Sequence, residues 1–181
     1  MTAAPATLPH YLRPGLRLVF IGYNPGIESA RIGHYYAFRG NAFWRQLNAS
    51  GLVPEPVSFE DDARLMDLAG IGFTDLCPRP TARADELSPG ELAAGALRLH
   101  GELREAAPQV VVVSGKGIWT QLGRHALGLD RRYLANGRFG EQAEMVGGSR
   151  VWVIPSSSGL ASKFHGERLA LLCDLAAILA T

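Results

Sequence analysis

A chain of 181 residues accommodates one domain, and a core of that size needs no disulfide or metal staple. Apolar residues make up 47% and charged residues 19%, an ordinary globular balance that excludes wholesale disorder. The net charge of +1 excludes a histone-like or repressor-like basic footprint, so any contact with nucleic acid must come from a local cluster of positive charge.

The N-terminal stretch Met1–Pro9 is rich in Ala, Pro and Thr and lacks the charged start and apolar run of a secretory signal. Residues 1–10 are expected to form a loose tail on a single domain spanning 1–181. The first strand is expected at Leu16–Ile21, ending in the loop Gly22-Tyr23-Asn24-Pro25-Gly26. Glycines let the backbone approach a ligand closely, Pro25 stiffens the loop, and Asn24 offers one acceptor and two donors on a short stem. A plain Asx/Pro turn is the alternative. An aromatic cluster follows, with His34, Tyr35, Tyr36 and Phe38 between Arg31 and Arg39, a combination suited either to base stacking with backbone attraction or to a core.

A helix is expected over Asn41–Leu52, with Phe43, Trp44 and Leu47 at helical spacing and Gly51 as its stop. A weaker strand, Gly70–Phe73, runs into Thr74-Asp75-Leu76. Asp75 is the carboxylate in that loop, as a catalytic group or as a helix cap or turn former. The helix Ser88–Ala106 opens with Ser-Pro-Gly-Glu, a Ser N-cap with Pro first and Glu third. Val110–Val113 forms the third strand and ends in Ser114-Gly115-Lys116-Gly117. A Walker A loop would need Gly at Val110 and Ser or Thr at Gly117, so a nucleoside-triphosphatase is excluded. Lys116 is left to face a phosphate or to be solvated.

After a helix at Ile118–Ala126, the fourth strand Val151–Ile154 ends in Pro155-Ser156-Ser157-Ser158-Gly159-Leu160. Serine hydroxyls and loop amides suit phosphate contact, and a leucine presented beyond a glycine can enter a base stack. The alternative tucks Leu160 into the core, and a serine hydrolase is disfavoured because no G-x-S-x-G elbow surrounds these serines. The last helix is His165–Ala180. Its apolar part, Leu169–Ala180, is about half the ~20 residues of a membrane span and is interrupted by Asp174. Cys77 and Cys173 make no CxxC pair and cannot supply the four ligands of an iron–sulfur cluster. Both are expected as buried, reduced thiols in a cytoplasmic protein.

Near-continuous β-branched strands alternating with helices predict an α/β fold: three α/β/α layers around a short, mostly parallel sheet. Loops leaving the C-terminal ends of such strands gather along one edge, which should bring Asn24, Asp75, Lys116 and Ser156–Leu160 to one cleft.

These motifs, in this order, resemble the mismatch-specific uracil-DNA glycosylase family, which includes the thymine-DNA glycosylases. The resemblance covers about Pro14–Leu52, Gly70–Leu87, Val110–Trp119 and Val151–Ser162. It implies hydrolysis of the N-glycosidic bond of an extruded uracil in DNA, especially in G·U mismatches, without metal or cofactor. It implies a monomer whose partner is uracil- or mismatch-containing DNA. By position Asn24 matches the residue that places the attacking water, and Tyr36 the aromatic that stacks on the base. Gly159-Leu160 matches the loop that fills the vacated gap. The same resemblance puts Gly22, Tyr23, Pro25, Gly26, Ser29 and Ser156 around the base. It puts Lys116, Ser157, Ser158 and Lys163 against DNA.

Two departures stand out. Some members carry Asn-Pro-Ser-Gly-Leu-Ser-Arg where this chain reads Ser156-Ser157-Ser158-Gly159-Leu160-Ala161-Ser162, and the missing arginine weakens the expectation of guanine reading. Their Thr-Lys-Leu is here Thr74-Asp75-Leu76, a carboxylate able to orient or deprotonate water and to favour a less mismatch-dependent uracil glycosylase. The alternatives are a broader uracil or hypoxanthine glycosylase acting on single- and double-stranded DNA, and a non-catalytic module that binds damaged DNA or nucleotides.

Overall fold

The computed structural model describes residues 7–180. Five strands form one sheet in the order β2-β1-β3-β5-β4, with β1 Leu18–Gly22, β2 Ile71–Asp75, β3 Val110–Ser114, β4 Gly140–Val146 and β5 Ser149–Ile154. β1 lies parallel to both β2 and β3, β3 lies parallel to β5, and only β4 is antiparallel to its neighbour. The helices are α1 Ile27–Ile32, α2 Phe43–Ser50, α3 Leu65–Leu68, α4 Pro89–Ala106, α5 Lys116–His125, α6 Arg131–Ala135 and α7 His165–Leu179. The expected three-layer α/β/α arrangement is thus the one found.

Strands β1, β2, β3 and most of β5 are buried on both faces, and their alternation divides the core. Leu18, Phe20, Ile71, Phe73, Val112 and Trp152 point into one apolar layer with Phe43 and Leu47 of α2 and Leu172 and Leu175 of α7. Val19, Ile21, Val111, Val113 and Val153 point into the other, against Leu99 and Leu103 of α4 and Ile118, Trp119 and Leu122 of α5. Helix α4 starts as its sequence dictates. Ser88 Oγ accepts from Glu91 N at 3.2 Å while Ser88 N donates to Glu91 Oε2 at 2.9 Å, so two N-terminal amides are satisfied reciprocally.

Three expectations are corrected. Residues 1–6 of the expected tail lie outside the described residues, but Leu8 is buried, and Tyr11 exchanges both main-chain hydrogen bonds with Phe73 at the edge of β2, at 2.9 and 3.1 Å. Apolar burial at Leu8 therefore holds the end of that segment, and strand pairing follows directly after it at Tyr11. Cys77 is buried as expected, whereas Cys173 is exposed, because it falls on the solvent side of α7. The fifth strand, β4, was not anticipated. Its alternating exposure is that of an edge strand with a solvated face, not of a doubly covered one. The Gly147-Gly148 turn joining it to β5 has φ of +60° and +91°, the pair of left-handed residues that a tight hairpin with twisted strands requires.

Candidate active site

Strand β1 sits where the chain order reverses, with β2 on one side and β3 on the other, and the C-terminal ends of these strands and of β5 open onto one cleft. The cleft has a volume of about 710 Å³ and is lined by the Gly22–Gly26 loop, Ser29, Tyr35, Tyr36, Asp75, the Ala82–Asp85 segment, Ser114, Ser156–Ser158 and Leu160.

Gly22 and Asp75 are register partners across β1 and β2. A Cβ at Gly22 would collide with Asp75 Oδ1 and crowd the Tyr36 hydroxyl, so the glycine is what leaves room for the carboxyl at the cleft. Pairing between the two chains continues beyond the strands. Leu76 N donates to Gly22 O and Cys77 N to Tyr23 O, both at 2.9 Å, and Thr81 N donates to Pro25 O at 3.1 Å. Asn24 completes the seam: its Nδ2 donates to Thr81 Oγ1 at 2.7 Å and to Arg79 O at 2.9 Å. The amide nitrogen is thereby committed to protein, and the carbonyl oxygen is the side-chain atom left for a ligand or water. Gly22-Tyr23-Asn24-Pro25-Gly26 is therefore more than an isolated turn; it is stitched to the loop that follows Asp75.

Asp75 is 5% exposed, and its carboxyl oxygens accept no hydrogen bond from the described residues. Burial disfavours the charged form and pushes its pKa up to about 7, against the opposing effect of Arg98. A carboxyl poised near neutrality in a cleft is suited to general base work.

Tyr36 adopts a left-handed backbone conformation, φ +53°, uncommon for a non-glycine residue. Its ring lies flat on Phe43, with centroids 4.0 Å apart and planes 8° from parallel. Burial and the neighbouring Asp75 raise its pKa, so the hydroxyl stays protonated. That hydroxyl and Ser114 Oγ are both buried without a hydrogen-bond partner among the described residues. Beyond Phe43 lies Arg168 of α7, fully buried, its guanidinium 5.4 Å from the ring centroid and bonded to Gln46 Oε1. Burial lowers its pKa to about 10, and it remains a cation behind the aromatic pair.

The serine loop is held from below. Ala42 N donates to Ser157 O at 3.0 Å, Ser158 N donates to Ser156 Oγ at 3.2 Å, and His165 Nε2 lies 3.0 Å from Ser158 O. Ser157 is buried in the cleft wall. Leu160, in the 3-10 turn Gly159–Phe164, is 100% exposed at the lip, so it is not tucked into the core.

Of the residues expected to converge, Asn24, Asp75, Tyr36, Ser29 and the serine loop do so, as do Gly22, Tyr23, Pro25 and Gly26. Lys116 does not reach the cleft. Its ammonium sits over the Phe139 ring at 4.6 Å, on the exposed start of α5. Lys163 is exposed in the same turn as Leu160, its ammonium over its neighbour Phe164 at 4.9 Å. Tyr35, one of the expected aromatic cluster, also lines the cleft, as do Ser114 and the Arg83–Asp85 pair, which carried no expected role. Ser114 could have been found as the last residue of its strand; Arg83 and Asp85 sit in a loop with no local signature. Among the described residues no group of three or more His, Cys, Asp or Glu is arranged as a metal-ligand set.

Fold and site together define the class: an α/β/α protein with an amide, a buried carboxyl and an aromatic ring gathered at a strand-end cleft. The chain belongs to the uracil DNA glycosylase superfamily, whose family model matches residues 9–177. It is also similar in fold to a solution NMR structure from Methanosarcina acetivorans described as a candidate uracil DNA glycosylase. The match has 20% identity and a TM-score of 0.65, covering 98% of this chain and 99% of that one.

Proposed function

We propose that this protein is a monofunctional uracil-DNA glycosylase that takes an extruded uracil into the strand-end cleft and hydrolyses its bond to the sugar. The observation that carries the reading is the convergence of Asn24 and Asp75, two residues far apart in sequence, on the cleft that Tyr36 lines and Leu160 overhangs.

Extruding the nucleotide costs a few kcal/mol, least at a mismatch. Leu160, fully exposed at the lip, enters the gap, while Ser156 and Ser158 contact the flanking backbone. Tyr36, backed by the Phe43 ring stacked on it, is the face against which the base packs. The bond between C1′ and N1 breaks with positive charge on the sugar and negative charge on the departing uracil. Asn24 accepts a hydrogen bond from the attacking water through its carbonyl oxygen, and ionised Asp75 orients the water and takes its proton or stabilises the sugar cation. Amides of the Gly22–Gly26 loop meet the uracil anion, a contribution of roughly 3–4 kcal/mol per donor in other enzymes. No lysine lines the cleft among the described residues, which supports hydrolysis by water over attack by an amine on the sugar.

Asp75 also favours a second, broader reading. A carboxylate assists departure of uracil whatever base stands opposite, so dependence on a G·U mismatch should be weak. The test is cleavage of labelled oligonucleotides carrying U·G, U·A, T·G or single-stranded uracil, followed by alkali to open abasic sites. Strand scission at uracil is expected on all three uracil substrates. Binding without scission would leave a non-catalytic damaged-DNA module, and scission confined to U·G would leave a strictly mismatch-dependent enzyme.

A further inference from the structure

Behind the cleft, on the far side of β2, lies a charged cluster that the reaction as described does not use. Arg98, on α4, donates from Nη2 to the main-chain oxygens of Asp75 at 2.6 Å and Leu76 at 3.1 Å. Its Nη1 donates to Glu102 Oε2 at 2.6 Å, one helical turn away, and Glu102 is in turn 3.1 Å from His10 Nδ1. His10 also lies 3.3 Å from Arg98 Nη1 and 3.4 Å from Thr74 Oγ1, so the cluster reaches the residue before Asp75 as well. The close approach depends on Gly95, where any Cβ would strike the carbonyl of Leu76. An arginine is the side chain for this place, because its planar fork reaches two adjacent carbonyls and a carboxylate at once.

We propose that Arg98 is a positioning residue for Asp75. Its guanidinium, oriented by Glu102, fixes the strand end from which the carboxyl enters the cleft and supplies the positive charge that keeps that carboxyl ionisable. The inference deepens the glycosylase reading and rests on it for its link to catalysis. The groups that face Asp75 agree with this part. Tyr35, Tyr36 and Cys77 are neutral at pH 7, with pKa values raised by burial, and Arg98 is the group whose charge acts against the burial of Asp75. Without it the carboxyl would hold its proton to higher pH, and less base would be present at neutrality.

Two substitutions separate charge from grip. Arg98→Gln keeps donors for the carbonyls and removes the charge; Arg98→Lys keeps the charge and loses the fork. The readout is the pH titration of the Asp75 carboxyl in the full chain, by carbon NMR with labelled aspartate, the resonance assigned by its loss in Asp75→Asn. In Arg98→Gln the midpoint is expected to rise by about one pH unit, a tenfold gain in proton affinity. In Arg98→Lys it should stay within a few tenths of the parent value while kcat on uracil-containing DNA falls about tenfold on the high-pH plateau. An unchanged midpoint in Arg98→Gln overturns the proposal. The titration needs no turnover, so it is decided separately from the glycosylase reading, which fails if Asp75→Asn cleaves uracil-containing DNA as fast as the parent.

Discussion

In the proposed reaction the chemistry falls to Asn24 and Asp75, and Gly22 is the residue whose missing side chain leaves the Asp75 carboxyl its place at the cleft. Replacing Gly22 by Ala puts a methyl group into the Asp75 carboxyl, so Gly22→Ala should lose activity on uracil-containing DNA by at least tenfold while circular dichroism stays native. Asn24→Ala removes the acceptor proposed to place the water and the donor that ties the two loops together. We expect cleavage to fall by two orders of magnitude or more, with duplex binding largely kept; single-turnover rates and a gel-shift titration read the two effects apart. As the proposed base Asp75 acts in its ionised form, and burial pushes its pKa up to about 7, so the single-turnover rate should rise with pH through neutrality and level off above it. Asp75→Asn should flatten that profile at a low rate.

At the scale of elements, the 3-10 turn Gly159–Phe164 and the Ala82–Asp85 segment form the open rim, and the strand ends form the floor. Leu160 contacts nothing that holds the fold, being fully exposed. Leu160→Ala should therefore leave the melting temperature unchanged yet reduce cleavage of uracil in duplex DNA more than in single strands, where there is no stack to enter. Comparison of the two substrates checks the wedge role directly. Helix α4 was legible from Ser88-Pro89-Gly90-Glu91, since a capping box is written in four consecutive residues. Strand β4 was not legible, because an edge strand with a wet face lacks the apolar run by which the inner strands announce themselves. Its Gly147-Gly148 turn was the available signal.

For the whole molecule, burying a carboxyl without hydrogen bonds has a cost that depends on pH. The folded state binds the Asp75 proton more tightly than the unfolded chain, whose aspartate titrates near 3.9, so the stability contributed is full below about pH 4 and is lost as pH rises towards 7. Asp75→Asn should consequently melt higher than the parent at pH 8, by on the order of ten degrees at the usual 2–4 °C or so per kcal/mol for a chain of this size, and the gap should close towards pH 4. Calorimetry at both pH values checks the sign. The net charge of +1 leaves attraction to DNA to local cations such as Lys163, which stands exposed by the lip. Lys163→Ala should weaken duplex binding and lower the slope of log affinity against log salt by about one. Lys116, already engaged with Phe139 outside the cleft, should change it less.

The layered fold, the inner strands, the capped helix and the identity of Asn24, Asp75 and the serine loop as strand-end residues were determined by the sequence alone. Burial on both faces, helix caps and turns are local preferences written in neighbouring residues. The convergence of those residues was implied by parallel topology, but its content was decided in three dimensions. Only the packed structure sets the burial that brings Asp75 towards neutrality, the Tyr36–Phe43 stack with Arg168 behind it, and the grip of Arg98 on the end of β2. These depend on desolvation and on contacts between residues tens of positions apart, and a local pattern of amino acids carries no record of either.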